Sequence, residues 1–346
     1  MIKSYFCAPN IIGNMHLEQR INLLADLGSY MVSDETQWQQ AKAQAYWENG
    51  WFTPEFVKTA VDQIADGFLS KEKLRSWAGD YHIPEDNPAP RLVGLVMAGN
   101  IPLVGFHDFL AIFLSGHRQM IKTSSKDNIL ITHLIQQIVK WAPEAGQAIS
   151  MSAMLKGCDA YVATGGNNAA RYFEYYFARF PHIIRRNRTS VAILTGQETK
   201  EDLENLAEDI QLYFGLGCRN VTKIYVPESY DFVPLLGACD RFNYLADQHK
   251  YKNNYDYQLT LLILNKKAYM SNESILLVED PSLFSPISVL HYEYYSSQAA
   301  LAAELSLNNQ IQCIIGKGYI PFGQAQRPDL TQYADGVDTL KFLMSL

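Results

Sequence analysis

Cys218 sits in Phe214-Gly215-Leu216-Gly217-Cys218-Arg219-Asn220-Val221-Thr222. A helix-like segment, Lys200 to Phe214, precedes it, and an apolar run, Lys223-Ile224-Tyr225-Val226-Pro227, follows. A thiol on a glycine turn, beside an arginine and backbone N–H groups, suits a nucleophile. The thiolate is the reactive form, and positive surroundings favour it. The other common use of a cysteine is as a small buried hydrophobe.

Three further segments could handle an anion or a developing negative charge. Each follows an apolar run that reads as a strand, and open α/β sheets bind ligands beyond the carboxyl ends of their strands. In Met97-Ala98-Gly99-Asn100-Ile101-Pro102, the glycine permits close backbone approach and Asn100 carries an amide N–H suited to an oxyanion. An ordinary turn asparagine fits the same pattern. In Ile121-Lys122-Thr123-Ser124-Ser125-Lys126, a lysine leaves a strand and is followed by hydroxyls. That composition suits a ribose or phosphate, and equally a capped start of the next helix. In Ala163-Thr164-Gly165-Gly166-Asn167-Asn168, a glycine turn opens a helix whose first N–H groups make an anion site, unless the turn is merely a connector. The spacing is not G-x-G-x-x-G.

The elements that must hold these residues alternate. Helices Leu17 to Met31 and Pro54 to Asp66 come first, then a loop, Asp86-Asn87-Pro88-Ala89-Pro90. The spacing then predicts strand Arg91–Ala98, helix Leu103–Ser115, strand Gln119–Thr123, helix Asn128–Trp141, strand Ala160–Ala163, helix Asn167–Phe180 and strand Ser190–Leu194. A helix to Phe214, the Lys223–Val226 strand, helix Phe232–Cys239, and strands near Leu259–Leu264, Ile275–Val278 and Ile287–Tyr292 continue the pattern. Such alternation implies mostly parallel, doubly wound sheets. We place a domain boundary near Leu194. Residues 1–194 then hold the N-terminal helices and a nucleotide-binding domain, 195–319 hold the cysteine, and 320–346 are able to return to the first domain.

Composition narrows the function classes. The chain has 346 residues, 48% hydrophobic and 19% charged, as expected for a packed globular protein. A formal net charge of −7 argues against a general nucleic-acid binder. Five cysteines (Cys7, Cys158, Cys218, Cys239, Cys313) with no C-x-x-C pair, and no leader, suggest a reducing cytoplasm without disulfides. Eight dispersed histidines offer no metal spacing, so no metal is expected. The apolar stretch Leu92–His117 is interrupted by Asn100, Pro102, His107 and Asp108. It falls short of the roughly 20 apolar residues a bilayer requires, so no membrane span is expected. The aromatic cluster Tyr172-Phe173-Glu174-Tyr175-Tyr176-Phe177 suits packing against a sheet or a subunit partner. Arg185, Arg186 and Arg188 suit either a phosphate or a solvated basic face.

Taken in order, the asparagine loop, the lysine strand, the glycine turn and the cysteine resemble the aldehyde dehydrogenase superfamily. The segment Gly99-Asn100-Ile101-Pro102-Leu103-Val104-Gly105 is similar to its acyl-CoA reductase branch, the LuxC-like fatty acyl-CoA reductases. Gly215 to Pro227 resembles the superfamily's cysteine segment, Phe284-Ser285-Pro286-Ile287 its Phe-Gly-Pro element, and Pro321-Phe322-Gly323-Gln324 its Pro-Phe-Gly element. The likeness runs from about Arg91 to the end.

This resemblance implies an α/β fold of two doubly wound parallel-sheet domains with an N-terminal helical segment. It implies Cys218 as the acyl-carrying nucleophile, with Asn100 and the Cys218 N–H as oxyanion donors. It also implies Lys122 and Ser124 at the cofactor ribose or its phosphate, Thr164, Gly165 and Gly166 under the pyrophosphate, and Phe284 as a further cofactor contact. The expected reaction is NADPH- or NADH-dependent reduction of an acyl-CoA to an aldehyde. An aldehyde dehydrogenase, an acyl-phosphate reductase and a non-catalytic interaction subunit are the alternatives. A homo-oligomer is expected by the same resemblance.

The chain departs from the oxidising members in three places. Where they carry Glu-Leu-Gly-Gly-Lys, it reads His182 to Thr189 with no carboxylate. That glutamate activates the hydrolytic water, so its absence favours reduction. The glutamine before the cysteine is absent, and the glutamate of Glu-x-Phe-Gly-Pro falls at Ser282.

Overall fold

The computed structural model describes residues 15–346, so Cys7 lies outside the described residues. The chain divides into two compact units. One comprises the residues up to Arg186 together with Asp329–Leu346, and the other comprises Asn187–Pro328.

The first unit begins with helices Leu17–Met31, Thr36–Glu48, Pro54–Phe68 and Lys71–Asp80. The third starts as its sequence dictates. Thr53 accepts the Phe56 N–H on its side chain, and Pro54 occupies the first turn. Strands β1 (Leu92–Val96), β2 (Arg118–Lys122), β3 (Ile149–Met151), β4 (Ala160–Thr164) and β5 (His182–Arg185) follow. They form one parallel sheet in the order β3-β2-β1-β4-β5. The connections run one way from β1 to β2 and the other way to β4, so the topological switch lies at β1 and β4. Helix Phe106–Leu114 is buried at every residue but the half-buried His107, which explains why its sequence lacks an amphipathic pattern.

The C-terminal segment belongs to this unit for a definite reason. Arg185, 2% exposed, pairs with Asp108 at 2.7 Å, and the same guanidinium reaches the Thr339 hydroxyl at 2.6 Å and the Ala334 carbonyl at 2.7 Å. Leu340 and Leu343 are fully buried beside it. The phosphate reading is thereby corrected for Arg185. Arg185 is spent inside the core, Arg186 pairs with Glu174, and Arg188 donates to the Ile311 carbonyl at 3.4 Å. The aromatic cluster on helix Asn167–Phe177 divides. Phe177 stacks on Tyr161 of β4 at 3.9 Å, while Tyr172, Tyr175 and Tyr176 are exposed.

The second unit contains β6 (Thr189–Ile193), β7 (Val221–Pro227), β8 (Met270–Ser271), β9 (Leu276–Glu279), β10 (Val289–Tyr295) and β11 (Ile311–Gly316). Their order is β11-β6-β7-β10-β9-β8, parallel except for β8 against β9. The expected boundary at Leu194 therefore moves to Arg186, because β6 pairs with β7 and β11. Residues 320–328 also remain here rather than returning to the first unit.

Two further expectations change. Leu259–Leu264 is not a strand but the end of helix His249–Leu264. Tyr251, Tyr255, Leu259 and Leu262 fall on one helical face, and the latter three pack together, whereas Ile263 and Leu264 are 57% and 71% exposed. The 3.6-residue period overrides the locally strand-like composition. The helix before the cysteine ends at Gln211, not Phe214, because Tyr213 and Phe214 adopt left-handed φ values of 54° and 58°.

Among the described residues, no helix is long and apolar enough to cross a membrane, and no group of three or more His, Cys, Asp or Glu is placed to hold a metal ion.

Candidate active site

In the second unit, helix Lys200–Gln211 leads to the thiol. It opens on a capping box in which Thr199 and Asp202 bond each other's backbone N–H groups. It closes on three residues with positive φ, Tyr213, Phe214 and Gly215. Each non-glycine residue in that conformation costs roughly 1–3 kcal/mol, so the surroundings must hold it. They do so by burial of both rings, by a Phe214–Tyr251 ring contact at 5.5 Å, and by Asn220. The buried Asn220 amide donates to the Asp209, Ile210 and Leu212 carbonyls at 3.1, 3.3 and 2.8 Å, and its Oδ1 accepts the Gly217 N–H at 2.7 Å.

Cys218 follows at once. Among the described residues it is the one cysteine that is not buried. Burial pushes the Cys239 thiol up to about 12 and raises Cys158 and Cys313 as well, which removes all three as thiolates near neutral pH. Ser190 of β6 donates to the Cys218 carbonyl at 3.1 Å and lies 2.9 Å from Cys313 Sγ. Arg219 donates to the Ala325 carbonyl at 3.3 Å. Phe284 is 38% exposed on the loop between β9 and β10. That loop is tied to the strand after the thiol, because Thr222 donates to the Leu283 carbonyl at 2.9 Å and Lys223 to the Pro281 carbonyl at 2.8 Å.

In the first unit, Lys122 and Thr164 are the last residues of β2 and β4, and Asn100, Ser124, Gly165 and Gly166 follow the carboxyl ends of the neighbouring strands β1, β2 and β4. Gly99 lets two of these loops touch. A Cβ there would fall 2.6 Å from Ser124 Cβ and Oγ and 3.1 Å from Asp127 Cβ. Asp127 accepts the N–H of Leu103, whose φ is +56°, at 2.7 Å, and so fixes the far end of the Asn100 loop. Its other oxygen, Oδ1, is buried without a partner, and burial raises the carboxyl to about 7. Asn100 and Lys122 are exposed. Ser124 Oγ accepts the Lys126 N–H at 3.2 Å and shapes its turn. Gly165 is required by its own helix, since a Cβ would meet Phe173 at 2.9 Å and Ala169 at 3.0 Å. Helix Asn167–Phe177 starts at Gly166 with no side-chain cap, which leaves its first N–H groups to an outside acceptor. A cationic lysine, an exposed amide and an uncapped helix start are the donors that a dinucleotide's phosphates require, so the residues fit such a cofactor.

Sequence reasoning missed Asn220, Ser190, Asp209 and Asp127 as parts of the site. The signal available for Asp209 was a carboxylate on the apolar face of its helix, beside the buried Leu206 and Ile210.

No protein-family profile matches the chain. By sequence it is similar to the long-chain acyl-protein thioester reductase of Aliivibrio fischeri, 23% identical over 246 residues, which cover 61% of this chain and 50% of that protein. The chain thus spans about half the length of the curated relative it matches. By structure it is similar to aldehyde dehydrogenase 21 of Physcomitrella patens, solved with the product succinate (TM-score 0.70, 12% identity, 96% of this chain and 84% of that one). It is also similar to a Mycobacterium tuberculosis aldehyde dehydrogenase complexed with NAD+ (TM-score 0.61, 13% identity, 83% and 70%). The fold is that of the aldehyde dehydrogenases. The sequence likeness, at 23% identity, is to a LuxC-like thioester reductase.

Proposed function

We propose that the chain is an aldehyde dehydrogenase-type oxidoreductase that reduces an acyl-CoA to an aldehyde through an acyl-cysteine at Cys218. The observation that carries this reading is the half-buried thiol on a constrained turn, in a chain with no carboxylate from His182 to Thr189 to activate water.

The Cys218 thiolate attacks the thioester carbonyl. A new C–S bond forms, the original one breaks, and the leaving thiolate takes up a proton. The Cys218 N–H, together with Asn100 by resemblance, supplies oxyanion donors, each worth roughly 3–4 kcal/mol of barrier in comparable sites. A reduced nicotinamide dinucleotide, NADPH or NADH, supplies the hydride when bound. Lys122, Ser124, Thr164, Gly165 and Gly166 would hold its phosphates and ribose, and Phe284 is a further proposed contact. The aldehyde then leaves as the bond to sulfur breaks and the Cys218 thiolate is restored.

The test mixes protein, acyl-CoA and NADPH and follows loss of the reduced nicotinamide's absorbance. Cys218→Ala should abolish the loss. Equal consumption by the variant would overturn the mechanism. An aldehyde, an acyl phosphate and an acyl-protein thioester, the last suggested by the name of the Aliivibrio relative, tested in place of acyl-CoA, define the substrate class. No turnover with any of them, together with no nucleotide binding by calorimetry, favours an interaction subunit.

A further inference from the structure

Two buried polar side chains grip the peptide units on either side of Cys218, and the thioester chemistry above uses neither of them. Asn220 and Ser190 are both 0% exposed. Asn220 takes the Gly217 N–H, immediately before the thiol, at 2.7 Å. Its own amide hydrogens are divided among three carbonyls at the end of the preceding helix. Ser190 holds the Cys218 carbonyl, immediately after the thiol, at 3.1 Å. A hydroxyl has one proton, so with that proton committed to Cys218 it is the Cys313 thiol, 2.9 Å away, that donates to Ser190 Oγ.

Neither residue is needed merely to end the helix or pair the strand. Helix carbonyls are ordinarily satisfied by a glycine turn or by water. The β6 backbone is already paired with β7 and β11 without the Ser190 hydroxyl. Instead, the turn is pulled into an uncommon path, with left-handed Tyr213 and Phe214, and secured from both sides. With the flanking peptides fixed, the Cα–Cβ bond of Cys218 has one direction, and the sulfur retains only its χ1 rotation.

We propose that Asn220 and Ser190 are positioning residues for Cys218, holding its sulfur and its N–H in one mutual orientation for attack and for oxyanion binding. The proposal rests on Cys218 being the acyl-accepting nucleophile. Because both side chains are sealed from solvent, their loss should fall on kcat rather than on KM.

The test uses the full chain and the variants Ser190→Ala and Asn220→Ala. Steady-state kcat and KM are measured with acyl-CoA and NADPH. Alkylation of Cys218 by iodoacetamide is followed across neutral and alkaline pH, with peptide mass spectrometry separating it from the other thiols. Both variants should lose roughly tenfold to a hundredfold in kcat with KM held within about twofold, the loss expected for a small misplacement of a reacting group. The rate of alkylation at a fixed pH should also fall. If the wild-type thiol reacts and turns over while a folded Ser190→Ala protein keeps the wild-type kcat and alkylation profile, the positioning role is overturned and the proposed function stands. If wild-type Cys218 is neither alkylated nor needed for turnover, the functional reading fails and this inference fails with it. Should Asn220→Ala not fold, Ser190→Ala alone decides.

Discussion

The buried carboxylate of Asp209 accepts the backbone N–H of Gly323 at 2.7 Å across 114 residues of chain, and its second oxygen accepts the Ala325 N–H at 3.1 Å. Asp209 stands on the helix that precedes Cys218, and its own carbonyl accepts from Asn220. The Pro321-Phe322-Gly323 segment is thus fastened to the element that delivers the thiol.

Burial raises the Asp209 carboxyl to about 7, outweighing the two N–H bonds that favour its charge. In the unfolded chain the group titrates at about 3.9, so the fold holds its proton more tightly. The resulting stability is complete below pH about 4 and is lost as pH rises through about 7. Urea unfolding at pH about 5 and about 8 should show a drop on the order of 3 kcal/mol or less from this group. Asp209→Asn should shrink the difference between the two pH values, and an unchanged difference would assign the titration elsewhere.

Asp127 follows the same pH logic, with a different structural consequence. Asp127→Asn keeps an acceptor for the Leu103 N–H and removes the buried charge, so it should fold and depend less on pH than wild type. Asp127→Ala leaves that N–H unpaired, at a cost of about 1–3 kcal/mol. It should also lower turnover by loosening the Asn100 loop. Thermal melts and steady-state rates of the two variants side by side provide the check.

Gly99→Ala would place a methyl group 2.6 Å from Ser124 and drive the Asn100 and Lys122–Ser125 loops apart. If those loops bind the dinucleotide, calorimetry should register at least a roughly tenfold loss of NADPH affinity, about 1.4 kcal/mol. Wild-type affinity in a folded variant would remove these loops from the cofactor site.

The Arg185–Asp108 pair should behave as a buried ion pair. Burial pushes the Asp108 carboxyl up, but Arg185, His107 and Thr339 together hold it below its ordinary value. Arg185→Met alone strands that charge and should cost about 3–5 kcal/mol in urea unfolding, whereas adding Asp108→Leu should recover most of the loss. Equal damage from the single and double variants would mean that packing, not charge, sets the cost.

Much of this organisation was legible along the chain. The strand–helix alternation from Leu92 onward, the thiol on a glycine turn, and the three strand-end loops all follow from apolar spacing and turn chemistry. Those signals are local, carried by residues a few positions apart. The same locality explains the misreadings. Leu259–Leu264 looked like a strand because its composition is apolar, yet the buried face begins upstream at Tyr251. Arg185 looked like a phosphate ligand because an arginine's partner is not visible from its neighbours, and its partners lie 77 and 154 residues away.

By itself, then, the amino-acid order determined most of the strand–helix alternation and which reactive side chains stand near the strand ends, because periodicity and turn preference act within a few residues. Tertiary structure alone decided which polar groups are spent inside the protein. Asn220, Ser190, Asp209 and Arg185 have the side chains of ordinary surface residues. Only folding brings a carbonyl, an amide or a carboxylate from a distant segment within bonding distance and removes the water that would otherwise have satisfied them.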